Sequence, residues 1–529
     1  MRRHANVSGL MLLGALSGPA AVADDLEART EAASPVQADR LEFITKDRAQ
    51  FHVIPLGENG FLVAYAEDTP DGARSWVVRC YDATFQERWS TAHTGHRKQY
   101  LRGRGVDSDT GYLLLVRDRL GGDEFELIKL NRDSGALEVT RGSFPAKFHL
   151  AAFNKFKVNK TLAWLAGSVK KEALVLAVEV DGGAVRRFPI ALNGRSAVKS
   201  ISVDEQSDHV NVVAHNLLNK KNTLVIFDYF GTAEELERSP PAAEDASHQL
   251  TDARLHQGDD GQTIMIGTYT LFERRRGLAA LSHKPRWGVQ GLFFAKLNPH
   301  GQSFVKYHSF SEFENFFDYL SERKQRRKKG KLARRKKSGS EPKLDYQLVL
   351  HDPVRLGEAY IMVGEVFKPV STTSTHTSPT TGALKVETTY VGDLYSHAVV
   401  AAFDEDGERI WDHCLEMDVM LDLSRKHPGA SVLIGAKRIA VGLRDGELHV
   451  VHFDENAIES LTIRAGVAPD ELVLTEIESG GTEKGVKSGI GRAEYWYGND
   501  FLVWGLQRFE KDRLIEIRQE TFFVSRVSY

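Results

Sequence analysis

Two cysteines in 529 residues cannot build a disulfide framework, and a chain of this length buries a sufficient core without one. Cys80 and Cys414 fall in different, non-adjacent units of the repeat described below, so both are expected as buried free thiols. Beyond the N-terminal region no uninterrupted apolar run approaches the length of a membrane-spanning helix. Amphipathic helical periodicity between strands is missing as well, which excludes parallel βαβ units. The chain carries no G-x-S-x-G, no H-E-x-x-H and no paired CxxC, so the commonest hydrolase, zinc-protease and redox constellations are absent. Asp412, His413 and Cys414 are adjacent, but neighbouring residues of a strand point to opposite faces. His413 and Cys414 therefore cannot act as a nucleophilic pair.

What the chain has is a strand-turn pattern recurring about every fifty residues. An apolar strand runs into Asp or Asn, the chain turns, and a second strand follows. Copies stand at Asp82, Asn131, Asp181, Asp228, Asn298, Asp404 and Asp454. A period of this size means one supersecondary unit repeated, each burying its apolar face against the next. Each unit expands into four short strands. In the first they are FHVIPL (51–56), GFLVAYAED (60–68), SWVVRCYD (75–82) and ERWSTAH (87–93). Val, Ile, Leu and Tyr fill the strands and turn residues punctuate them. Gly and Asp-Gly between the third and fourth strands suit a two-residue hairpin, whose twist needs positive φ. Asp404, Asp406 and Gly407 lack the acidic residue that would complete a calcium loop, so they are read as turn chemistry.

The sequence predicts an all-β fold, a β-propeller. FLVWGLQRF (501–509), LIEIRQE (514–520) and TFFVSRVSY (521–529) form a last unit one strand short, and LEFITK (41–46) stands upstream as a spare strand. If that N-terminal strand completes the last unit, the ring closes and leaves only short protected edges. The count is then eight blades, with seven as the alternative and a β-sandwich pair a distant third. The propeller domain is placed at 39–529, with insertions at 272–290, 306–345 and 368–397.

AKLNPHG and AAFDEDGERIW resemble the repeats of eight-bladed quinoprotein-like and WD40-like propellers, with Trp89 and Trp411 at the Trp position of those repeats. A quinone would need metal ligands, and no acidic and amide cluster supplies them, so no cofactor is expected. FSEFENFFDYLSERKQ, YQLVLHDP and YSHAVVAAFDEDGERIWD resemble a group of exported bacterial proteins, a likeness that implies no activity.

Arg2 and Arg3, the apolar stretch Leu10 to Leu16 and the small residues Ala21-Val22-Ala23 form the pattern of a secretory signal peptide over 1–23. A flexible segment at 24–38 follows, and the expected location is the periplasm or the cell exterior. The net charge of −3 hides an asymmetry, because eleven of the fifteen residues from Arg323 to Lys337 are Lys or Arg. The body is acidic and one loop is strongly basic.

The three insertions are expected to crowd one sector of one face, where long loops on a rigid scaffold carry function. In the middle one, Ser311 is expected to cap a helix with Asn315, Phe316, Tyr319 and Leu320 on one stripe. Phe313, Phe316 and Phe317 should pack on the propeller. The basic tail that follows should repel itself into an exposed or disordered loop. Candidate ligand-binding residues are Arg274, Arg275, Arg276 and Trp287 in the first insertion, and Arg326, Arg327, Lys328, Lys329, Arg334 and Arg335 in the second. Arginine forks and a stacking Trp suit an anionic or sugar ligand. STTSTHTSPTT (371–381), with His376 as a possible ligand, reads as a polar loop. The function expected is a non-enzymatic binding or scaffold propeller. Its partner would be an anionic envelope glycan, lipid or protein met through the basic loop, since the chain has no specific nucleic-acid motif. The alternative is a glycan-active hydrolase or lyase with paired carboxylates at the propeller mouth.

Overall fold

Strand after strand in this chain is apolar on both faces, as in Phe61–Asp68, Leu162–Val169 and Thr263–Leu271. A short run of that kind belongs in a sheet covered on both sides. The computed structural model describes residues 36–529 apart from 46–50, 118–123, 151–155, 204–208, 231–236, 239–246, 272–287, 338–343, 378–383, 423–436, 467–472, 477–485, 510–518 and isolated positions in shorter turns. The expected signal peptide at 1–23 lies outside the described residues.

Those residues form eight antiparallel sheets of four or five strands. Seven follow one another along the chain, at 52–95, 99–143, 148–189, 195–238, 248–309, 347–422 and 439–476. The eighth joins 486–528 to the strand Val36–Thr45, which pairs antiparallel with Gln519–Ser528 from Val36↔Ser528 to Thr45↔Glu520. Succession of small up-and-down sheets in this order is the build of a β-propeller. Among the described residues no helix is long and apolar enough to cross a membrane.

Apolar side chains fill the spaces between successive sheets. Leu62 and Val78 of the first sheet meet Leu113 and Ile128 of the second. Trp164 of the third stacks edge-on against Tyr229 of the fourth at 4.8 Å. Phe294 of the fifth faces Phe403 of the sixth, and Val451 of the seventh shares a core with Phe523 of the eighth. The eighth then packs on the first, where Phe61 lies 5.6 Å from Trp496 and the indole N–H of Trp496 donates to the Gly60 carbonyl at 2.7 Å. Cys80 is buried in the core between the first two sheets, whereas Cys414 is only half-buried, because its strand lies at the outer edge of the sixth sheet.

The hairpin turns are longer than the two residues expected. Asp404 N–H bonds to Glu408 O at 2.9 Å, closing a three-residue loop on Gly407 at φ 75° with a bulge beside it at Ala402/Phe403. A Cβ on Gly407 would lie 2.6 Å from Phe294, so this turn is pressed onto the preceding sheet. Trp89 does the same job in the other direction. Its indole N–H donates to Arg132 O at 2.9 Å, and a Cβ on Gly135 would strike its ring.

Two expectations about the insertions are overturned. Residues 310–321 form turns, and the helix is the basic run itself, Glu322–Lys337 (α1). Lys and Arg are good helix formers, and at physiological salt their repulsion is screened within about 8 Å. Glu322 in the first turn and Arg334, Arg335, Lys336 and Lys337 in the last also suit the helix dipole. The segment 371–377 is not a loop: it pairs with 384–390 as the outer part of a ribbon formed by Ala359–Thr377 and Leu384–Phe403. Its Thr content favours strand.

Candidate functional site

The middle insertion is held onto the propeller by aromatics and by one carboxylate. Phe310 stacks on Phe316 at 4.2 Å, and Phe313, Phe316 and Phe317 are all buried in the core between the fifth and sixth sheets. Tyr319 stacks on His397 at 4.0 Å, and its hydroxyl bonds that of Tyr346 at 2.7 Å. Burial, with Lys368 adding to it, lowers the His397 pKa to about 3. Asp412, buried on the outer strand of the sixth sheet, accepts the backbone N–H groups of Glu314 at 3.0 Å and Asn315 at 2.8 Å and the Arg409 guanidinium. The Asp412–Cys414 run is thus structural. Burial pushes the Cys414 thiol up to about 12, far from a reactive thiolate.

The described ends of the insertions meet at one corner. The Gln290 amide, returning from the first, donates to Leu344 O at 2.8 Å and accepts Leu344 N–H at 3.0 Å. Val289 N–H donates to Tyr346 O at 2.8 Å, and Lys368, at the root of the ribbon, lies 4.6 Å from the Tyr346 ring. Replacing Asp412 by alanine strands two amides and should cost about 2–3 kcal/mol locally. Faster hydrogen exchange at Glu314 and Asn315 and faster tryptic cleavage within α1 are the expected results. Unchanged rates would show that the carboxylate does not hold the insertion.

Along α1, Leu332 is buried, and Lys328 sits over the rings of Phe317 at 5.8 Å and Tyr346 at 5.3 Å. Lys329 donates to Glu314 O at 2.9 Å, and Arg326 pairs with Glu322 at 3.0 Å. Arg327, Arg334 and Arg335 are exposed. Of the six helix residues singled out from sequence, Lys328 is therefore part of the docking seam, Lys329 is bonded back to the insertion, and the other four are exposed. Arg274, Arg275, Arg276 and Trp287 lie outside the described residues, as does the side chain of His376.

A second group of charges carries no motif. It occupies the first strands of the sheets, or the residues flanking them: His52, Arg104, Lys157, Arg254, Asp352, Lys437, Arg438, Arg492 and Glu494. Arg104 donates to Glu494 at 2.8 Å across 390 residues. Arg254 approaches Asp352 at 3.6 Å, and Lys437 approaches it at 3.9 Å. Lys157 is in electrostatic reach of the same carboxylate. Residues of seven sheets thus converge, as side chains on innermost propeller strands must.

Asp352 keeps 69% of its side chain exposed, yet burial is the largest influence on its titration. Burial alone would raise its pKa, and Lys437 and Arg254 hold it below the usual carboxylate value instead. Burial, then Arg104 and Arg492, bring His52 down to about 3, and burial, then Arg104 and Arg438, bring Arg492 down to about 10. Perturbed groups gathered this way mark functional sites more often than chance. Sequence reasoning missed them because each stands alone in its unit. The trace was there in spacing, since His52, Arg104 and Lys157 fall 52 and 53 residues apart. Among the described residues no group of three or more His, Cys, Asp or Glu could hold a metal ion.

No protein-family profile and no curated protein matches the sequence. Solved structures of similar build include polysaccharide lyase Uly1, 8% identical over 93% of this chain and 100% of that one at a TM-score of 0.40. They also include the WD40 domain of SCAP from fission yeast, 9% identical over 92% and 98% at 0.36. A third is the β-propeller domain of the Trilobed protease from Pyrococcus furiosus, 10% identical over 80% and 93% at 0.33. At such scores neither ligand nor activity transfers, and the architecture rests on the sheet order and the cores between sheets.

Proposed function

We propose that this protein is an exported, non-enzymatic binding propeller of eight blades, closed into a ring by the strand Val36–Thr45. It captures an anionic envelope polymer through α1. The N-terminal pattern from Arg2 to Ala23 supports export, and the packing of the eighth sheet on the first supports closure. One observation carries the binding assignment: the most basic stretch of the chain is a helix docked by Leu332 and Lys328 and tied back by Lys329 and Lys336, with Lys324, Arg327, Lys331, Arg334 and Arg335 exposed. A fixed row of cations meets a polyanion without the ordering cost that a loose loop bears.

The test uses immobilised lipopolysaccharide and a variant with Lys324, Arg327, Lys331, Arg334 and Arg335 all changed to Gln. Each lost phosphate contact weakens binding and flattens its salt dependence, so affinity should fall by at least about tenfold. Equal affinity in the two proteins would remove α1 from the function. Release of shortened or unsaturated products from acidic polysaccharides would establish the alternative, a glycan-active hydrolase or lyase.

A further inference from the structure

We propose that the outer part of the ribbon formed by Ala359–Thr377 and Leu384–Phe403 is a docking surface for an anionic phospholipid membrane, into whose headgroup layer Leu384, Val386 and Tyr390 reach. The inference rests on α1 as a cationic contact and goes beyond it by adding an apolar one. From Lys368 to Thr377 and from Leu384 to Val391 the two strands pair only with each other among the described residues. Seven pairs, Ser371↔Tyr390 to Thr377↔Leu384, make an arm about 20 Å long at about 3.4 Å per residue. Alternate residues of a strand share a face, and so do directly opposed pairs. Leu384, Val386, Thr388 and Tyr390 therefore lie on one face, with Thr375 opposite Val386 and Thr373 opposite Thr388. All six are exposed, Leu384 at 73% and Val386 at 65%, and none carries a charge.

Two strands alone are marginal in water, and exposed strand edges are ordinarily guarded by charge. This one is not: no Lys, Arg, Asp or Glu occurs from Pro369 to Ala383. What covers the face follows from its neighbour. Lys328 of α1 and Lys368 at the root of the ribbon stand over the same Tyr346 ring, at 5.3 and 4.6 Å. Tyr319, just before α1, stacks on His397 of the ribbon's second strand. The helix with exposed Lys324, Arg327, Lys331 and Arg334 therefore lies beside the ribbon's root. Cations next to exposed aliphatic side chains match an anionic bilayer, which attracts the first by its surface charge and takes up the second. Stable anchoring needs both, since one weak apolar contact or one polybasic patch holds poorly alone. Tyr390 suits the boundary, where its ring is apolar and its hydroxyl stays wet. The backbone sets the depth. Open strand edges do not enter hydrocarbon, so the strands stay among the headgroups and only side chains go deeper.

Flotation of the mature protein with vesicles of equal parts phosphatidylglycerol and phosphatidylcholine, and with vesicles of phosphatidylcholine alone, tests this. Wild type should bind the mixed vesicles and leave the neutral ones. Leu384→Ser and Val386→Ser together should weaken that binding by at least about tenfold, the worth of two partly buried aliphatic side chains. Both residues are exposed, so the double variant should melt like wild type and bind deacylated lipopolysaccharide like wild type. The α1 variant should lose that polymer as well as the mixed vesicles, so the polymer arm reads the helix and the double variant's vesicle arm reads the ribbon. An environment-sensitive dye on Val386→Cys should shift its emission to the blue when mixed vesicles are added. Wild type that binds the polymer but not the mixed vesicles, a double variant that binds them equally well, or an unmoved dye would overturn the proposal. So would self-association of wild type that the double variant loses, because a second copy would then be what covers this face.

Discussion

Replacing Glu365 by alanine is expected to lower stability by about 3–5 kcal/mol, the usual cost of breaking a buried charged network. Glu365 is fully buried in the sixth sheet. Its two carboxylate oxygens accept Arg438 N–H at 2.8 and 2.9 Å, and one of them accepts Ile439 N–H at 3.1 Å. The same oxygen meets His351 Nε2 at 2.7 Å. Burial, with Lys437 adding to it, lowers the His351 pKa, so near neutral pH the ring is uncharged and donates its N–H. One side chain thus ties the sixth sheet to the start of the seventh, and its loss leaves buried amides without an acceptor. Glu365→Gln keeps the volume but presents an amide NH2 where donors already point, so it should lie between alanine and wild type. Urea midpoints for the three proteins check this, and overlapping curves would show that the junction is held by apolar packing alone.

Acid should destabilise this protein well above the pH at which carboxylates titrate. His52 and His397 have folded pKa values of about 3, against about 6.5 in an unfolded chain. Between those limits the unfolded state binds protons that the folded state refuses, so stability falls as pH drops below about 6.5. Each group contributes about 1.4 kcal/mol per pH unit, and the loss stops only when the folded ring protonates near pH 3. Glu126 is held at about 2, chiefly by its hydrogen bond from His93. Its contribution is present above about 4.5 and is lost as pH falls from there, which steepens the decline. Thermal midpoints from pH 7.5 to 4.5 should therefore slope downward from about pH 6.5. His397→Phe, which keeps a ring against Tyr319 and Phe316, should flatten that slope by roughly one histidine's share. A variant with the wild-type profile would mean that His397 is not held neutral.

The repeat was legible because hairpins leave a local mark. Asp82, Asn131 and Asp404 each cap a turn, and the sheets fall where those turns place them. Turn length was misjudged because Gly407 and Phe85 close three-residue loops, a difference of backbone angle that residue type alone does not carry. The helix was misplaced because the aromatic segment has a helical stripe, yet Phe313, Phe316 and Phe317 are buried by contact with the sheets rather than by helical periodicity. Lys328 and Leu332 are the only hints, within the basic run, that it has a buried side. The inner-strand charges left only the spacing of His52, Arg104 and Lys157 as a trace, for a different reason. Arg104 and Glu494 become neighbours only when the first and last parts of the chain have come together.

That late meeting has a price in biogenesis. The strand Val36–Thr45 finds its partner only in Gln519–Ser528, and Gln37 and Ser525, which bond across this seam, are 488 residues apart. The chain must be made as far as Ser528 before the strand Val36–Thr45 has its whole partner. Until then it is an open edge that invites mispairing with other chains. A chain interrupted before Gln519 would leave Val36–Thr45 without that partner, readily distinguished from the paired form by proteases that seize loose ends.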